Sequence, residues 1–308
     1  MYAVDISVLV PVYNNAATLD ELIDRVIAVL EPLGRSFELL FVDDGSRDES
    51  LAIVQRRAAV DSRVRWIAMV RNFGSQAASC AAFDHARGRR LVHIDADLEQ
   101  VPEDIPILVE HLDRGYDLVC PYRETRGGPW LTRRLPSLLM NAYVRRQTGT
   151  RVRDVGCGMR AMDAAIVRDL ASEGESRRLL TPLLLRRARR IVEVPIRHHP
   201  RSDPGGHSFL TLLGIALDYY MLTARRPFLI SGLVSLAALA IGVIMLAVGP
   251  RPAGLVLAGF ASVGALVSLL GEYAQRIYQL GQGIPFYSLR DPGEQAPADD
   301  AVRSHAAR

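Results

Sequence analysis

Four short apolar runs alternate with amphipathic helical patterns through the first third of the chain, and that alternation leaves few folds open. Ile6-Ser7-Val8-Leu9-Val10-Pro11-Val12-Tyr13 reads as a buried strand that stops near a proline and runs into Asn14-Asn15. Thr18-x-x-Glu21 then has the form of a capping box, and Leu19, Leu22, Ile23, Val26 and Leu30 follow at helical spacing. Residues 37–42 make a second strand ending in Asp43-Asp44-Gly45-Ser46, and Ser46-x-x-Glu49 opens a second helix in the same way. Residues 64–70 read as a third strand, 76–86 as a third helix and 91–94 as a fourth strand. This pattern predicts an α/β fold with a parallel, doubly wound sheet. Ligands of such sheets bind beyond the carboxyl ends of the strands.

The strand ends carry the chemistry. Pro11-Val12-Tyr13, Asp43-Asp44, Arg71-Asn72 and Asp95-Ala96-Asp97 each fall just past a predicted strand, so the fold would gather them on one rim. Alternation along an extended chain would point Asp95, Asp97 and Glu99 to one side. Such hard oxygen ligands suit Mg²⁺ or Mn²⁺, which also takes substrate phosphates and water. No Gly-x-Gly-x-x-Gly follows the first strand and no Walker loop occurs. A nucleotide on this rim would therefore be held through ribose, base and a bridging metal instead of a glycine cradle. An isolated Asp-x-Asp is common as a solvated turn; its placement among the other strand ends is what argues for a site.

With 308 residues the chain can bury one large core or two ordinary ones. A net charge of +3 provides no global field for nucleic acid, and although all 37 basic residues are arginine, that bias by itself assigns no partner. Cys80, Cys120 and Cys157 are widely spaced and odd in number, which points to a reducing compartment and no disulfide framework. The first residues lack a basic n-region, so no signal peptide is expected. Composition shifts near residue 225. Residues 227–250 and 252–271 carry no charge, and each run matches the roughly 20 residues that cross a bilayer. Gly232, Ser235, Ala238 and Gly242 in one, and Gly259, Ser262, Gly264 and Ser268 in the other, would let helices approach closely, within a hairpin or between chains of a homo-oligomer. Arg225, Arg226 and Arg276 flank the pair against Arg251 in the turn, which places both ends in the cytoplasm. Residues 130–144, with Leu131, Leu135, Leu138 and Leu139 beside Arg133 and Arg134, and residues 208–223 have the pattern of interfacial helices, ordinary core helices being the alternative. The expected division is a globular part at 1–207, an interfacial helix at 208–226, a two-helix transmembrane hairpin at 227–272 and a cytoplasmic tail at 273–308 whose end, from Asp291, is disordered in composition.

The set Val10-Pro11-Val12-Tyr13-Asn14, Val42-Asp43-Asp44-Gly45-Ser46, Arg71-Asn72-Phe73-Gly74-Ser75-Gln76 and Asp95-Ala96-Asp97-Leu98 resembles, in that order, the family-two glycosyltransferases with the GT-A fold. Within them it looks like the polyprenyl-phosphate glycosyltransferases. Asp154-Val155-Gly156-Cys157-Gly158-Met159-Arg160-Ala161 and Gly271-Glu272-Tyr273-x-x-Arg276-Ile277-Tyr278 extend the likeness over nearly the whole chain. Residues 154–160, with Val194-Pro195-Ile196-x-His198-His199, look most like the branch that transfers aminoarabinose. The resemblance implies a nucleotide-sugar donor, UDP ahead of GDP, a polyprenyl (undecaprenyl) phosphate acceptor, Mg²⁺ or Mn²⁺, and inverting transfer at the cytoplasmic membrane face. It implies that Pro11, Tyr13 and Asp43 hold the nucleotide with Asp44 close behind. Asp95 and Asp97 would sit at diphosphate and metal, Asp97 the more direct ligand, with Glu99 where the family usually has Gln. Asp154 would lie by sugar and acceptor and Arg160 would face phosphate, while Arg133, Arg134 and Arg201 complete the candidate acceptor contacts. After Arg201 the chain reads Asp203-Pro204-Gly205-Gly206-His207-Ser208 where the family commonly shows Gly-x-Ser-x-Tyr, which leaves contacts in that loop open.

A phosphate monoester is largely deprotonated near neutral pH, so positioning arginines matter more to such a reaction than a general base. Asp154 is then better read as binding sugar or orienting Arg160 than as a base. For Arg160 an ion pair with Asp154 or Asp163 stays open beside a phosphate contact. His93 reads as a core residue and Cys157 as small packing; His198, His199 and His207 lack a thiol or matched fourth ligand for zinc. A processive polysaccharide synthase would normally add a further Asp and a Gln-x-x-Arg-Trp, and the latter does not occur here. A silent membrane scaffold would be favoured by loss of the acidic pairs, which are intact.

Overall fold

The structure, a computed structural model, describes residues 2–123, most of 141–168, 180–197, 287–290 and separate helical positions between 256 and 277. Residues 227–250, both stretches read as interfacial helices apart from a few positions after 140, the tail beyond 290, and Arg133, Arg134, Arg201, His198, His199 and His207 lie outside the described residues.

Strand β1 (Val4–Val12) organises the sheet. Its apolar run is continuous because a parallel strand covered on both faces has no solvent side to alternate with. Ile6, Val8, Val10 and Val12 face one helical layer and Leu9 the other. The seven strands run in the order β3-β2-β1-β4-β6-β5-β7, with β2 Phe37–Asp43, β3 Val64–Ala68, β4 Gly88–His93, β5 Leu118–Arg123, β6 Arg160–Asp163 and β7 Ile191–Ile196. The first four strands pair in parallel, as the alternation predicts. The second half departs from that pattern, since β6 runs antiparallel to both β4 and β5 while β7 pairs in parallel with β5. The sheet is therefore mixed.

Helices α1 (Ala16–Leu30), α2 (Ser50–Val60) and α4 (Ile105–Asp113) cover one face; α3 (Ser75–His85) and α5 (Leu180–Arg187) cover the other. The face of α1 foreseen from its spacing is the face it buries: Leu19, Leu22, Ile23, Val26 and Leu30. Each such side chain contributes about 1.5–3 kcal/mol when fully buried. Neither capping box forms. Thr18 lies inside the first turn of α1, and α2 starts after Glu49, because Thr18, Ser46 and Ser50 bond to neighbouring loops. Strand β4 begins at Gly88, earlier than the apolar run, with Arg90 held by Asp5 and by Asp113 at 2.5 Å. Because β2 lies on one side of β1 and β4 on the other, chain direction switches at β1, and a crevice opens beyond the carboxyl ends of these strands. Among the described residues no helix is long and apolar enough to cross a membrane.

The opposite end of the sheet is closed by a buried polar clasp. Glu38, 3% exposed, accepts from Ser7 Oγ at 2.5 Å, Arg87 N at 2.7 Å and Arg65 Nη1 at 2.6 Å. Ser7 Oγ in turn accepts from Gly88 N at 2.8 Å. A Cβ at Gly88 would come within 2.6 Å of Ser7 N and 2.9 Å of the Ile6 carbonyl carbon, both backbone atoms that cannot swing aside. Gly88→Ala should therefore destabilise the protein by about 1–3 kcal/mol, the usual cost of overpacking. A urea melt of both proteins measures this, and an unchanged midpoint would show that the strands separate freely here.

Candidate active site

The rim foreseen from the strand ends exists, and side-chain hydrogen bonds tie its loops together. Pro11 pairs with Val42 beyond the last β1–β4 partner, Leu9–His93, so its missing N–H costs no bond to β4. The chain then turns through Asn14 at φ 55°, with Tyr13 42% exposed over the crevice. Asn14 N donates to Ser46 Oγ at 3.1 Å and Asn14 Oδ1 accepts from Arg47 N at 2.8 Å. Asn15 N donates to Ser50 Oγ at 2.8 Å, and Ala16 N to Asp48 at 3.0 Å. These bonds latch the first loop to the second. Asp44, 2% exposed, accepts from Phe73 N at 2.7 Å and Gly74 N at 2.9 Å, which fixes the third loop. Gly45, at φ +70°, must be glycine, since a Cβ there would lie 2.7 Å from the Arg71 carbonyl carbon. Asp43 accepts from Ser46 N at 3.2 Å.

The acidic loop differs from expectation in its geometry. Strand β4 ends at His93; Ala96 and Asp97 lie in a turn and Leu98 adopts φ 59°, so extended alternation does not govern Asp95, Asp97 and Glu99. Among the described residues no three His, Cys, Asp or Glu side chains gather into a metal-sized cluster. Gln100, missed at the sequence level, clamps Asp95: its Oε1 accepts from Asp95 N at 2.8 Å and its Nε2 donates to Asp95 Oδ2 at 2.7 Å. Asp97 Oδ1 accepts from Glu99 N at 3.0 Å, and Thr18 Oγ1 donates to the Ala96 carbonyl at 2.6 Å, which ties the turn to α1.

Strand β6 brings the distant segment to this rim. Its antiparallel register sets Arg160 opposite His93, so residues 154–160 lie against Asp95. Arg160 does not pair with Asp154 or Asp163. Its guanidinium donates to Thr181 Oγ1 at 2.5 Å and to the carbonyls of Val155 at 2.7 Å and Cys157 at 3.1 Å. Asp154, 3% exposed, pairs instead with Arg123, which reaches it through Nε at 2.8 Å and Nη2 at 3.1 Å. Arg123 ends β5, and reading residues 118–123 as a fifth strand would have flagged it by the same strand-end rule. A cavity of about 220 Å³ opens beside Asp95, its wall including Ser75, His93, Gly158, Arg160 and Thr181.

Electrostatics follow from burial. Burial lifts the Asp43 and Asp44 carboxyls above the ordinary range, against hydrogen bonds from Ser46 to Asp43 and from Phe73 and Gly74 to Asp44. Desolvation lowers the pKa of His93. Its Nδ1 faces the Gly158 carbonyl at 2.8 Å, and because a carbonyl only accepts, Nδ1 carries the proton; Nε2 lies 2.9 Å from Ser79 Oγ, whose hydroxyl donates to the Ser75 carbonyl at 2.8 Å. Burial pushes the Cys157 thiol up to about 11, which makes it packing and not a nucleophile.

Two outcomes test this geometry. A Cβ on Gly158 would overlap Asp95 Oδ2 and sit 2.7 Å from its Cγ, so Gly158→Ala must turn the carboxylate out of its clamp while the backbone stays. Turnover should fall up to about a hundredfold, the scale of an ångström-sized misplacement, with little change in thermal midpoint. The second concerns pH. With a raised native pKa, protonated Asp43 stabilises the fold; that contribution is full below about 3.9 and is lost as pH rises through the native value. Asp43→Asn should therefore match or exceed wild type in thermal midpoint at pH 7 and lose that advantage in acid. A midpoint lowered at neutral pH would contradict this.

Comparison with known proteins agrees with the fold. Residues 7–171 match Glycosyl transferase family 2. The undecaprenyl-phosphate 4-deoxy-4-formamido-L-arabinose transferase of Pseudomonas paraeruginosa is 36% identical, the alignment covering 96% of this chain and 93% of that protein. The protein of the same name from Edwardsiella ictaluri is 33% identical over 93% of both. Glucosyl-3-phosphoglycerate synthase from Mycobacterium tuberculosis, solved with Mn²⁺, UDP and glucosyl-3-phosphoglycerate, superposes with a TM-score of 0.53 at 23% identity, over 72% of this chain and 80% of that one, and shares the GT-A fold. The chain belongs to glycosyl transferase family 2 and is a glycosyltransferase.

Proposed function

We propose that the protein transfers 4-deoxy-4-formamido-L-arabinose from a UDP-linked donor to undecaprenyl phosphate at the cytoplasmic face of a membrane. The observation that carries this reading is the end-to-end likeness, 33–36% identity over at least 93% of the chain, to proteins named for that transfer. An oxygen of the lipid phosphate attacks the anomeric carbon, the bond from that carbon to the diphosphate oxygen breaks, and UDP leaves with the electron pair as configuration inverts. The attacking phosphate, with a second pKa near about 6, needs no strong base. The enclosure of Asp154 by Arg123 supports an orienting role for that carboxylate.

Pro11, Tyr13 and Asp43 line the donor end of the crevice, where a carboxylate accepts hydrogen bonds from base or ribose. Asp97, with Asp95 held by Gln100, would bind Mg²⁺ or Mn²⁺ together with the donor diphosphate. Two carboxylates completed by substrate oxygens fit the way these ions are usually held, so a cluster of three acidic side chains, which the described residues do not form, is not required. When bound, the cation supplies Lewis-acid neutralisation of the departing diphosphate. Glu99 adds its charge near Arg123, which joins it to the acceptor side. Arg123, its side chain 26% exposed, offers the fork suited to a lipid phosphate, whereas Arg160 braces the 154–160 loop from within.

Membrane attachment through residues 208–226 and a hairpin at 227–272, with Arg133, Arg134 and Arg201 near the acceptor, belongs to the same proposal. Exposed Phe260, Val263, Val267 and Leu270, spaced three and four apart in the helical region, support a lipid-facing ridge.

The test is transfer from a panel of radiolabelled UDP- and GDP-sugars to undecaprenyl phosphate by purified protein in detergent, with Mg²⁺ or Mn²⁺. Labelled lipid should form from the UDP-formamidopentose and require the cation, and Asp97→Ala should reduce it by at least about a hundredfold. Labelled polymer, or no lipid product from any donor, would overturn the reading.

A further inference from the structure

Residues 287–290 follow the second apolar run in sequence, yet they lie on the sheet at its donor end. Leu289 forms an antiparallel bridge with Met69. Val70 N donates to the Ser288 carbonyl at 3.1 Å and Arg290 N to the Ala68 carbonyl at 2.7 Å. Tyr287 Oη donates to Asp84 Oδ2 at 2.7 Å, which anchors the segment to α3, and Tyr287 and Leu289 pack on the core beneath that helix. The edge beyond β3, otherwise open to pairing with another chain, is covered by the protein's own return.

Register then decides where Arg290 falls. Ala68 is the β3 partner of Asp43, and Met69 N donates to the Asp43 carbonyl at 2.9 Å. Arg290 is thus one strand outside the strand next to Asp43, and with neighbouring strands about 4.8 Å apart its charge acts on that carboxylate without an ion pair between them. We propose that this returning segment is a built part of the donor site, with Arg290 a positioning residue whose charge favours the ionised Asp43 carboxylate that the nucleotide needs; the inference rests on the donor reading given above.

The electrostatics agree with the geometry. Burial raises the Asp43 pKa, with the Asp44 carboxylate close beside it, and the cation of Arg290 acts in the opposite direction. A protonated Asp43 would offer a donor where the nucleotide needs an acceptor. The segment therefore offsets part of the burial that favours the neutral form of Asp43, beside the larger effect of the hydrogen bonds from Ser46.

The experiment measures binding of radiolabelled UDP to the full-length protein in detergent with Mn²⁺, from about pH 5 to about pH 8, for wild type, Arg290→Ala and Arg290→Lys. Alanine keeps the backbone N–H that bonds Ala68, so the pairing survives, and circular dichroism checks the fold. Arg290→Ala should weaken UDP binding about tenfold near neutrality and move the acid limb of the profile to higher pH, as loss of an opposite charge predicts. Arg290→Lys should restore most of the affinity. In transfer assays the donor KM should rise while kcat at saturating donor and the acceptor KM stay close to wild type. Arg290→Ala binding UDP like wild type at every pH, or weakening it equally at every pH without rescue by lysine, would overturn the positioning role. Wild type failing to bind UDP would instead remove the donor reading itself, and this inference with it.

Discussion

Burial of β1 on both faces is the constraint from which the site follows. A strand with helices above and below it can present polar groups only where it leaves the sheet, and in β1 that point comes at Tyr13. Its parallel neighbours β2 and β4 are subject to the same condition, so Asp43 and Asp95 emerge beside it. The exception inside the layer, Ser7, is tolerated because Glu38 answers its hydroxyl directly. Function is thereby pushed to one edge and structural polarity to the other.

What turns four emerging loops into one site is the choice of side chains that bond across them. Asn14, Asn15, Ser46, Ser50 and Asp48 link the first loop to the second, Asp44 links the second to the third, and Thr18 links α1 to the acidic turn. Each bond satisfies a backbone group that the end of a strand or helix would leave unpaired. Preorganisation of this kind places the rim carboxylates before any ligand arrives, so that less ordering remains for binding to supply.

The first half of the fold was legible because it obeys one rule repeatedly. Apolar runs became strands and Leu19 to Leu30 became the buried face of α1, since hydrophobic period reports burial directly. Side chains that act between loops were misread for the same reason that they matter. Thr18 and Ser46 look like helix caps locally, and only the tertiary arrangement diverts their hydroxyls. The β6 strand, four residues starting with an arginine and ending with an aspartate, carries no readable period, so the reversal of direction after β4 was invisible. The partner of Asp154 was likewise hidden, because Arg123 lies 31 positions away on a strand that the reading stopped short of. Asp95 and Asp97 were recognised by their position at a strand end, whereas their relative orientation depended on Leu98 turning to positive φ, which apolar side chains rarely signal.

The reversal at β6 has a further consequence for how such an enzyme can diversify. The chain leaves the sheet after Arg123 at the carboxyl end of β5 and re-enters it at Arg160 at the amino end of β6, and antiparallel strands put both of these points on the same rim. The segment between them therefore begins and ends on that rim. Its length and composition can be exchanged without changing the register of β1, β2 or β4. The architecture is in that sense modular along a single edge: a fixed half of parallel strands, and a connecting segment free to vary on the same rim.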